Sequence, residues 1–249
     1  MGTQDSMLFG PRSRRWLPVA LMCVFSLLPV RVFADARSDE QAKALVAKFK
    51  AMKVITAWKE DFATKQKQDL FGSTTLGPGK DAADEKHKAL VFPKGADPIS
   101  HVYIPYYLPA KAHISFDFYP VELPGVGQAC CLLSVGTGGN TKMAMLFTVK
   151  GEVYASISMG NGYRNLTSAP VALKAWHHFD LYYGADGDVL LIDDKVEDFS
   201  TESTTTLLVN AADQAYIGNF ARYDETTKGN AFNEPFIGSI DNFANERLE

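Results

Sequence analysis

The stretch from Trp176 to Asp194, WHHFDLYYGADGDVLLIDD, contains two apolar runs separated by a short glycine turn. In the first run Phe179, Leu181 and Tyr183 stand at alternate positions, and a period of two is typical of a β-strand with one face in a core. Asp186-Gly187 then supplies the positive φ that a tight hairpin needs. The stretch therefore predicts a β-hairpin in an antiparallel sheet.

Two earlier segments show the same alternation, with apolar residues at Ile114, Phe116 and Phe118 and at Met143, Met145 and Phe147. Turn-forming sequences separate the strands, at 136–140, 150–152, 160–162 and 185–188. No long helical pattern interrupts this region, which excludes βαβ architectures. We therefore expect an all-β antiparallel sandwich or jelly roll. Between 71 and 98 we expect loops around a single strand near Ala89–Phe92.

The N-terminus has the layout of a secretory signal peptide. Three Arg within 12–15 precede an apolar run, Trp16–Leu28, and Val32–Ala34 places small residues at the −3 and −1 positions of a cleavage site. The run is too short to cross a bilayer and is broken by Pro18 and Pro29, so no stable membrane anchor is expected. The sequence predicts cleavage after Ala34 and a secreted protein, extracellular or periplasmic.

Charge and composition narrow the class of partner. The 249-residue chain is 46% hydrophobic and 22% charged, with a formal net charge of −4. Without residues 1–34, which hold four Arg and one Asp, 215 residues with a charge of −7 remain. Such a chain has no basic field that would attract nucleic acid.

Cysteine use indicates a core without disulfides. Cys23 lies within the signal peptide, which leaves the adjacent pair Cys130 and Cys131. Neighbouring cysteines bridge each other only through a strained ring, so we expect two small apolar residues in a strand. A reactive or intermolecular thiol is the alternative.

A short amphipathic helix is predicted near the start of the mature chain, at 39–53. Ser38 and Gln41 have capping-box spacing, and Leu45, Phe49 and Met52 follow at steps of four and three. We expect this apolar stripe to pack on the neighbouring domain; a membrane or partner surface is the alternative. The organisation is then a signal peptide at 1–34, a helical segment at 35–60 and a jelly-roll domain at 61–249.

Three segments in a fixed order carry a family resemblance: Leu132–Gly136, Trp176–Asp194 and Tyr216–Asn219 followed by Pro235–Phe243. Together they resemble the laminin-G-like branch of the concanavalin A-like lectin/glucanase superfamily, over roughly Leu90–Asn245. The resemblance implies a jelly-roll β-sandwich. The hairpin ends Asp193-Asp194-Lys195, where the family usually has a glycine after Asp.

Two residues of these segments have simple structural interpretations. Trp176, at the entrance of a strand, is expected to fill the core. Gly238 is expected at a strand position that another part of the chain approaches closely, or where the strand is kinked.

The acidic residues do not form the carboxylate pair of the related glycosidases, which occupies alternate positions on one strand. Glu197 and Asp198 point to opposite faces, with Glu202 in a turn-like stretch, and Pro120 separates Asp117 from Glu122. We expect solvated carboxylates and no enzyme activity. His177 and His178 also point to opposite faces, so we expect ordinary strand histidines rather than metal ligands.

Calcium is the cofactor that the resemblance suggests, because exported jelly rolls often hold an oxygen-ligated ion near strand ends. The candidate ligands are Asp241, Asp186 and Asp188, together with Asp193 and Asp194. Turn formation explains all of these except Asp241 equally well.

Candidate ligand-binding residues come from the strand faces opposite the core and from a long loop. The outward-facing candidates are Asp117, Tyr119, Tyr154, Asp180 and Tyr182. If their strands share a concave sheet, tyrosines and carboxylates could stack on and hydrogen-bond a sugar. The loop at 219–234 adds Arg222 and Tyr223.

These observations predict an exported, non-catalytic module that binds an extracellular polysaccharide or glycoprotein. A cell-surface protein-interaction or structural module, with contacts through the N-terminal helix and the long loop, is the second hypothesis. A divergent polysaccharide hydrolase or lyase is the third.

Overall fold

The computed structural model describes residues 35–60, 62, 70–80, 88–95, 100–104, 109–126, 128–137, 140–159, 163–202, 214–219 and 234–249. Its one helix in these ranges, α1, is Asp35–Lys50. The strands are β1 Val54–Glu60, β2 Leu70–Phe71, β3 Thr75–Pro78, β4 Lys88–Phe92, β5 His101–Ile104, β6 Ala112–Pro120, β7 Ala129–Thr137, β8 Asn140–Thr148, β9 Glu152–Ser158, β10 Tyr163–Pro170, β11 His177–Gly184, β12 Gly187–Ile192, β13 Lys195–Ser200, β14 Gln214–Ile217, β15 Glu234–Pro235 and β16 Gly238–Leu248.

The strands form two sheets packed as a sandwich. Sheet A has the order β13-β12-β11-β6-β16-β4-β3, and β1 also pairs with β16. Sheet B has the order β10-β9-β8-β7-β14-β5-β2. Every described pair is antiparallel except β15, which lies parallel to β7. The predicted all-β jelly roll with a short helix is confirmed.

The core lies between the sheets and is rich in aromatic rings. Phe116 on β6 stacks on Phe179 of β11, with ring centroids 4.6 Å apart, and also on Phe243 of β16. All three rings are buried, and burial of each contributes about 1.5–3 kcal/mol. The predicted alternation is confirmed on β6, β8 and β11, because their named apolar residues all belong to this core.

A second, smaller core lies under α1 on the outer face of sheet A. Leu45 and Phe49 pack there with Tyr182, Leu191 and other residues of the sheet. The Phe49 and Tyr182 rings are stacked, 5.5 Å apart. The prediction that the helix packs on the neighbouring domain is confirmed. Helix α1 ends at Lys50 rather than at residue 53. No helix in the described ranges is long and apolar enough to span a membrane.

The early part of the chain contains more strands than its sequence predicts. Instead of one strand between 71 and 98, β3 pairs with β4, and β2 pairs with β5. The predicted boundary at residue 60 falls at the end of β1, which pairs with β16 within one compact unit, 36–249. These strands are short or exposed, so backbone pairing forms them without a periodic apolar pattern. Residues 1–34 lie outside the described ranges.

Local expectations have mixed outcomes. Cys130 and Cys131 are both buried in β7, as predicted for small apolar residues in a strand. Gly238 is also as predicted: its φ is +155°, and a Cβ there would collide with the carbonyl oxygen of Tyr119.

Trp176 does not fill the core; it lies half-buried on the outer face of sheet A, against Tyr119. Since Phe179 points inward, the two-residue period places Trp176 outside.

The turn between β12 and β13 generates a stability prediction. Asp193 and Asp194 have φ of +52° and +63°, a conformation that favours glycine. Asp194 is exposed, so we expect Asp194→Gly to stabilise the protein by about 0.5–1 kcal/mol. Asp193→Gly is the matched comparison. It removes the carboxylate that accepts the backbone N–H of His178 at 2.8 Å, and should destabilise. Urea denaturation measures both; a destabilised Asp194→Gly protein would contradict the interpretation of the turn.

Candidate functional site

The outer face of sheet A is organised by three adjacent strands, β11, β6 and β16. Their register places polar side chains in rows: His178 beside Asp117 and Asp241, Asp180 beside Ser115, and Tyr182 beside His113 and Glu246. Trp176 and Tyr119 lie next to the first of these rows, with ring centroids 5.5 Å apart. This face therefore concentrates the titratable side chains of the sheet, with one half-buried aromatic pair beside them.

Asp117 is the most heavily hydrogen-bonded carboxylate on this face. It is 3% exposed and is contacted by His178 Nδ1 at 2.7 Å, Lys80 Nζ at 2.8 Å and Asn242 Nδ2 at 2.7 Å. Burial opposes its ionisation, but the three donors outweigh burial and lower the pKa of Asp117. Asp117 is therefore ionised, and it holds the side chains of His178, Lys80 and Asn242 in place.

His178 lies between two carboxylates. Its Nδ1 contacts Asp117, and its Nε2 lies 3.4 Å from Asp180 Oδ1. The hydrogen bonds to Asp117 and then Asp180 outweigh partial burial and raise the pKa of His178 to about 10. The imidazole is therefore protonated, and cationic, at neutral pH.

The ionic contacts continue across the sheet. Burial opposes ionisation of Asp180, but contacts from His113, at 2.6 Å, and His178 outweigh it and lower the pKa of Asp180. His113 also contacts Glu246 at 3.1 Å, and Glu246 pairs with Lys59 at 3.2 Å. We call this series the ion ladder; its members are Lys80, Asp117, His178, Asp180, His113, Glu246 and Lys59.

Helix α1 covers only one end of the ion ladder. The ring of His113 stacks on Tyr182 at 4.2 Å, and Phe49 covers Tyr182 from the helix, so Tyr182 is 5% exposed. At the other end Trp176 and Tyr119 are half-buried, and the side chains of His178 and Lys80 are 34% and 41% exposed. We call these four residues the open patch. Among the described residues, they form an accessible part of this face.

The predicted ligand-binding residues are distributed between both sheets. Asp117, Tyr119, Asp180 and Tyr182 share the outer face of sheet A, as expected. Tyr154 lies on β9 of sheet B and cannot join them, because strand order is not encoded in a local period. Arg222 and Tyr223 lie outside the described residues. A binding role for any of these residues stays a prediction.

The sequence did not identify three members of the open patch. Trp176 and His178 could have been placed on this face from the alternation of β11, since Phe179 is a core residue. Lys80 carries no such signal, because tertiary folding alone brings it to Asp117.

Four of the five aspartates proposed as calcium ligands have other partners, and one of these is Asp193, which contacts His177 at 2.7 Å and accepts the backbone N–H of His178. Asp186 pairs with Lys48 and Lys111, and Asp188 with Arg164. Asp241 accepts the backbone N–H groups of Lys80 and Asn242 at 2.7 and 2.8 Å.

These aspartates are also far apart in the sheet. Asp188 lies opposite Tyr183, whereas Asp241 shares the row of His178, five residues away along β11 and thus about 16 Å. Among the described residues, no group of three or more His, Cys, Asp or Glu could hold a metal ion. Asp188 and Asp241 are therefore too far apart to share one shell of six to eight oxygens. Calcium binding at any single one of the candidate aspartates stays a prediction.

The acidic residues near 200 stabilise the edge of sheet B. Glu197 accepts the backbone N–H of Ala169 at 2.8 Å, and Asp198 accepts that of Thr167 at 3.0 Å. The expectation of solvated carboxylates is wrong for these two and for Asp117, which is 3% exposed. Since β10 is the last strand of its sheet, its outer N–H groups need acceptors.

The ion ladder predicts a distinct pH dependence of stability. The folded pKa of His178, about 10, lies above the ordinary 6.5, so its contribution is complete below pH 6.5 and is lost as the pH rises toward 10. The lowered pKa of Asp117 contributes stability above its ordinary value of 3.8, which is lost as the pH falls.

We therefore expect the free energy of unfolding to fall between pH 6.5 and 10 by about 1–2 kcal/mol more in the wild type than in His178→Gln. Urea denaturation across this pH range measures the difference. His101→Gln, a half-buried histidine outside the ion ladder, is the control. Identical pH profiles for wild type and His178→Gln would contradict the assignment.

One of three comparisons with known proteins, the one with family models, agrees with the fold. A family model described as Laminin G domain matches residues 127–246. Domains LG4-5 of the mouse laminin alpha1 chain are 17% identical, with a TM-score of 0.47; the alignment covers 60% of this chain and only 40% of theirs. No curated protein matches.

Two similar structures come from bacterial proteins. Domain 4 of AbnA, a GH43 extracellular arabinanase from Geobacillus stearothermophilus in complex with arabinotriose, is 13% identical over 78% of this chain and 84% of that one, with a TM-score of 0.49. The CBM40 of the Ruminococcus gnavus IT-sialidase is 15% identical over 56% and 78%, with a TM-score of 0.42. Over residues 127–246, just under half of the chain, the sequence matches the Laminin G domain, and the two-sheet fold agrees with the predicted laminin-G-like jelly roll.

Proposed function

We propose that this protein is an exported, non-catalytic module that binds an extracellular glycan, or a partner that carries one, through the open patch. The observation that carries the proposal is the Trp176–Tyr119 ring pair, which lies beside the ion ladder at the end of sheet A that α1 does not cover. The match to the laminin G family supports a binding role.

The chemistry of the open patch suits a sugar. Aromatic rings stack on the apolar faces of pyranose rings, while polar groups around them bind hydroxyl and carboxylate oxygens. The Trp176 indole, the Tyr119 hydroxyl and the Lys80 ammonium can all donate hydrogen bonds. Because Lys80 is held by Asp117, its ammonium needs little ordering when a ligand binds.

The state of the buried carboxylates supports a non-catalytic role. A glycosidase needs one carboxylic acid with a raised pKa. Asp117, which lies beside Asp241 in the rows, instead has a lowered pKa and three hydrogen-bond donors around it. Glu197 and Asp198 are engaged at the edge of sheet B. These residues therefore support the fold.

The second hypothesis, a protein-interaction module that uses α1, is less favoured. Leu45 and Phe49 are buried against the sheet, so the apolar stripe of the helix is occupied within the fold.

Binding to a glycan array tests the proposal. We expect the wild type to bind, and Trp176→Ala and Tyr119→Ala each to lower the affinity roughly tenfold, as truncation of an aromatic contact does. Tyr163→Ala is the matched control, because Tyr163 is an exposed tyrosine on sheet B. Repeating the assay with a chelator tests whether calcium takes part. Absence of binding to any glycan, or a loss confined to Tyr163→Ala, would contradict the proposal.

Export has its own test. Expression of the full sequence in a secreting host should release a protein that begins at Asp35, since Ala34 occupies the −1 position of the predicted cleavage site. Intact-mass spectrometry of the secreted fraction measures this. Retention of residues 1–34 in all of the protein would show that the segment is not a cleaved signal.

A further inference from the structure

A single glycosylation triplet lies on the terminal strand of sheet B. Asn165-Leu166-Thr167 is the only Asn-X-Ser/Thr triplet in the 249-residue sequence, and its middle residue is not proline. All three residues belong to β10, at one end of the strand order of its sheet. In an exported chain such a triplet is an acceptor for an asparagine-linked sugar. The fold must then leave room for a large substituent at Asn165.

The strand turns the acceptor asparagine away from the core. Leu166 is 2% exposed and packs between the sheets, so the two-residue period places Asn165 and Thr167 on the outer face. Asn165 is exposed there, and the residue opposite it on β9 is Ser156, whose side chain is small. A sugar on Asn165 can therefore extend into solvent without disturbing the packing of β10.

An exposed tyrosine beside the triplet is a second, independent indication of a sugar. Tyr163 precedes Asn165 by two residues, so the two side chains share a face at a spacing of roughly 7 Å. Its side chain is 54% exposed, and no other aromatic ring in the described part of the chain is exposed. Because aromatic rings stack on the apolar faces of sugars, the first sugar on Asn165 has a platform within reach.

We propose that Asn165 carries an asparagine-linked glycan whose first N-acetylglucosamine packs on Tyr163. Nδ2 of Asn165 displaces a lipid pyrophosphate from C1 of the donor sugar, so that one C–N bond forms and one C–O bond breaks. The amide proton passes to a base of the transferase, which recognises the Thr167 hydroxyl. The proposal rests on the export in the proposed function, because this transferase acts on chains that enter the secretory pathway.

The glycan would lie on the opposite side of the sandwich from the open patch. The open patch is on the outer face of sheet A, whereas Asn165 is on the outer face of sheet B. The modification therefore leaves the proposed binding surface accessible. It also shields a terminal strand whose outer N–H groups, at Thr167 and Ala169, are bound by carboxylates rather than by another strand. Proteins protect such edges against pairing with a second molecule.

Secretion of the full sequence from a eukaryotic host tests the modification. We expect the secreted protein to exceed the mass of residues 35–249 by that of a glycan, which peptide N-glycosidase F removes. Asn165→Gln and Thr167→Ala should lack the extra mass, whereas Thr167→Ser should retain it, because serine keeps the recognised hydroxyl. A secreted wild type without a glycan, or a glycan that persists in Asn165→Gln, would overturn the proposal.

A second expression separates this proposal from export. Residues 35–249, which include the compact unit 36–249, are placed behind a signal peptide of the host. If only this version is secreted and it carries the glycan, the native segment is not a signal and the proposal for Asn165 is supported. If it is secreted without a glycan, the proposal for Asn165 fails whatever residues 1–34 do.

Thermal unfolding tests the contact with Tyr163. We expect the glycosylated wild type to melt about 2–4 °C above Asn165→Gln, the shift that one added aromatic contact produces in a domain of this size. The same comparison should give almost no difference in a Tyr163→Ala background and a retained difference in Tyr163→Phe, which keeps the ring. Equal shifts in all three backgrounds would show that the sugar does not pack on Tyr163.

Discussion

The burial of the Asp117 carboxylate is the constraint on which the outer face of sheet A depends. A buried charge is tolerated only when it is paired and fully hydrogen-bonded. Lys80, from the segment after β3, His178, from β11, and Asn242, from β16, meet this requirement together. Removing one partner of a buried pair typically costs about 3–5 kcal/mol. Asp117 therefore fixes the relative positions of three elements.

The local geometry of β16 is adapted to this contact. The pairing of β16 with β6 shifts register between Asp241 and Ala244, and Asn242 within that irregularity has φ of +49°. A regular strand would alternate Asp241 and Asn242 between opposite faces. The bulge instead lets the Asn242 amide reach Asp117 while Phe243 remains in the core. A conformation unfavourable for asparagine is thus offset by a buried hydrogen bond.

The ion ladder and α1 divide this face into two parts with different roles. Under the helix, Tyr182 belongs to a small apolar core and the His113 ring stacks on it, so both residues serve the fold. Beyond the helix, His178 and Lys80 stay partly exposed beside Trp176 and Tyr119. Rigid support under an accessible aromatic pair is the arrangement that favours binding with little loss of entropy.

Local patterns predicted much of the fold and less of the site. The two-residue period identified β6, β8 and β11 and the direction of Asp117, Tyr119 and Asp180, because side-chain alternation is a property of a single strand. The same period also places Trp176 on the outer face. The expectation that this tryptophan fills the core overrode that signal. The sheet of Tyr154 and the partners of Asp241 depend on strand order and on contacts distant in sequence, which no local period encodes. The short strands β2 and β3 show no apolar alternation in the sequence, because backbone pairing with other strands forms them.

The titration of His178 tests the central claim most directly, because it reports on the ion ladder in the absence of any ligand. Side-chain ¹H–¹⁵N NMR, with His178→Gln to assign the signal, measures its pKa in the folded protein. The structure predicts a doubly protonated imidazole at neutral pH with a pKa of about 10. Titration near the ordinary value of 6.5 would show that His178 is not held between Asp117 and Asp180, and would contradict the account.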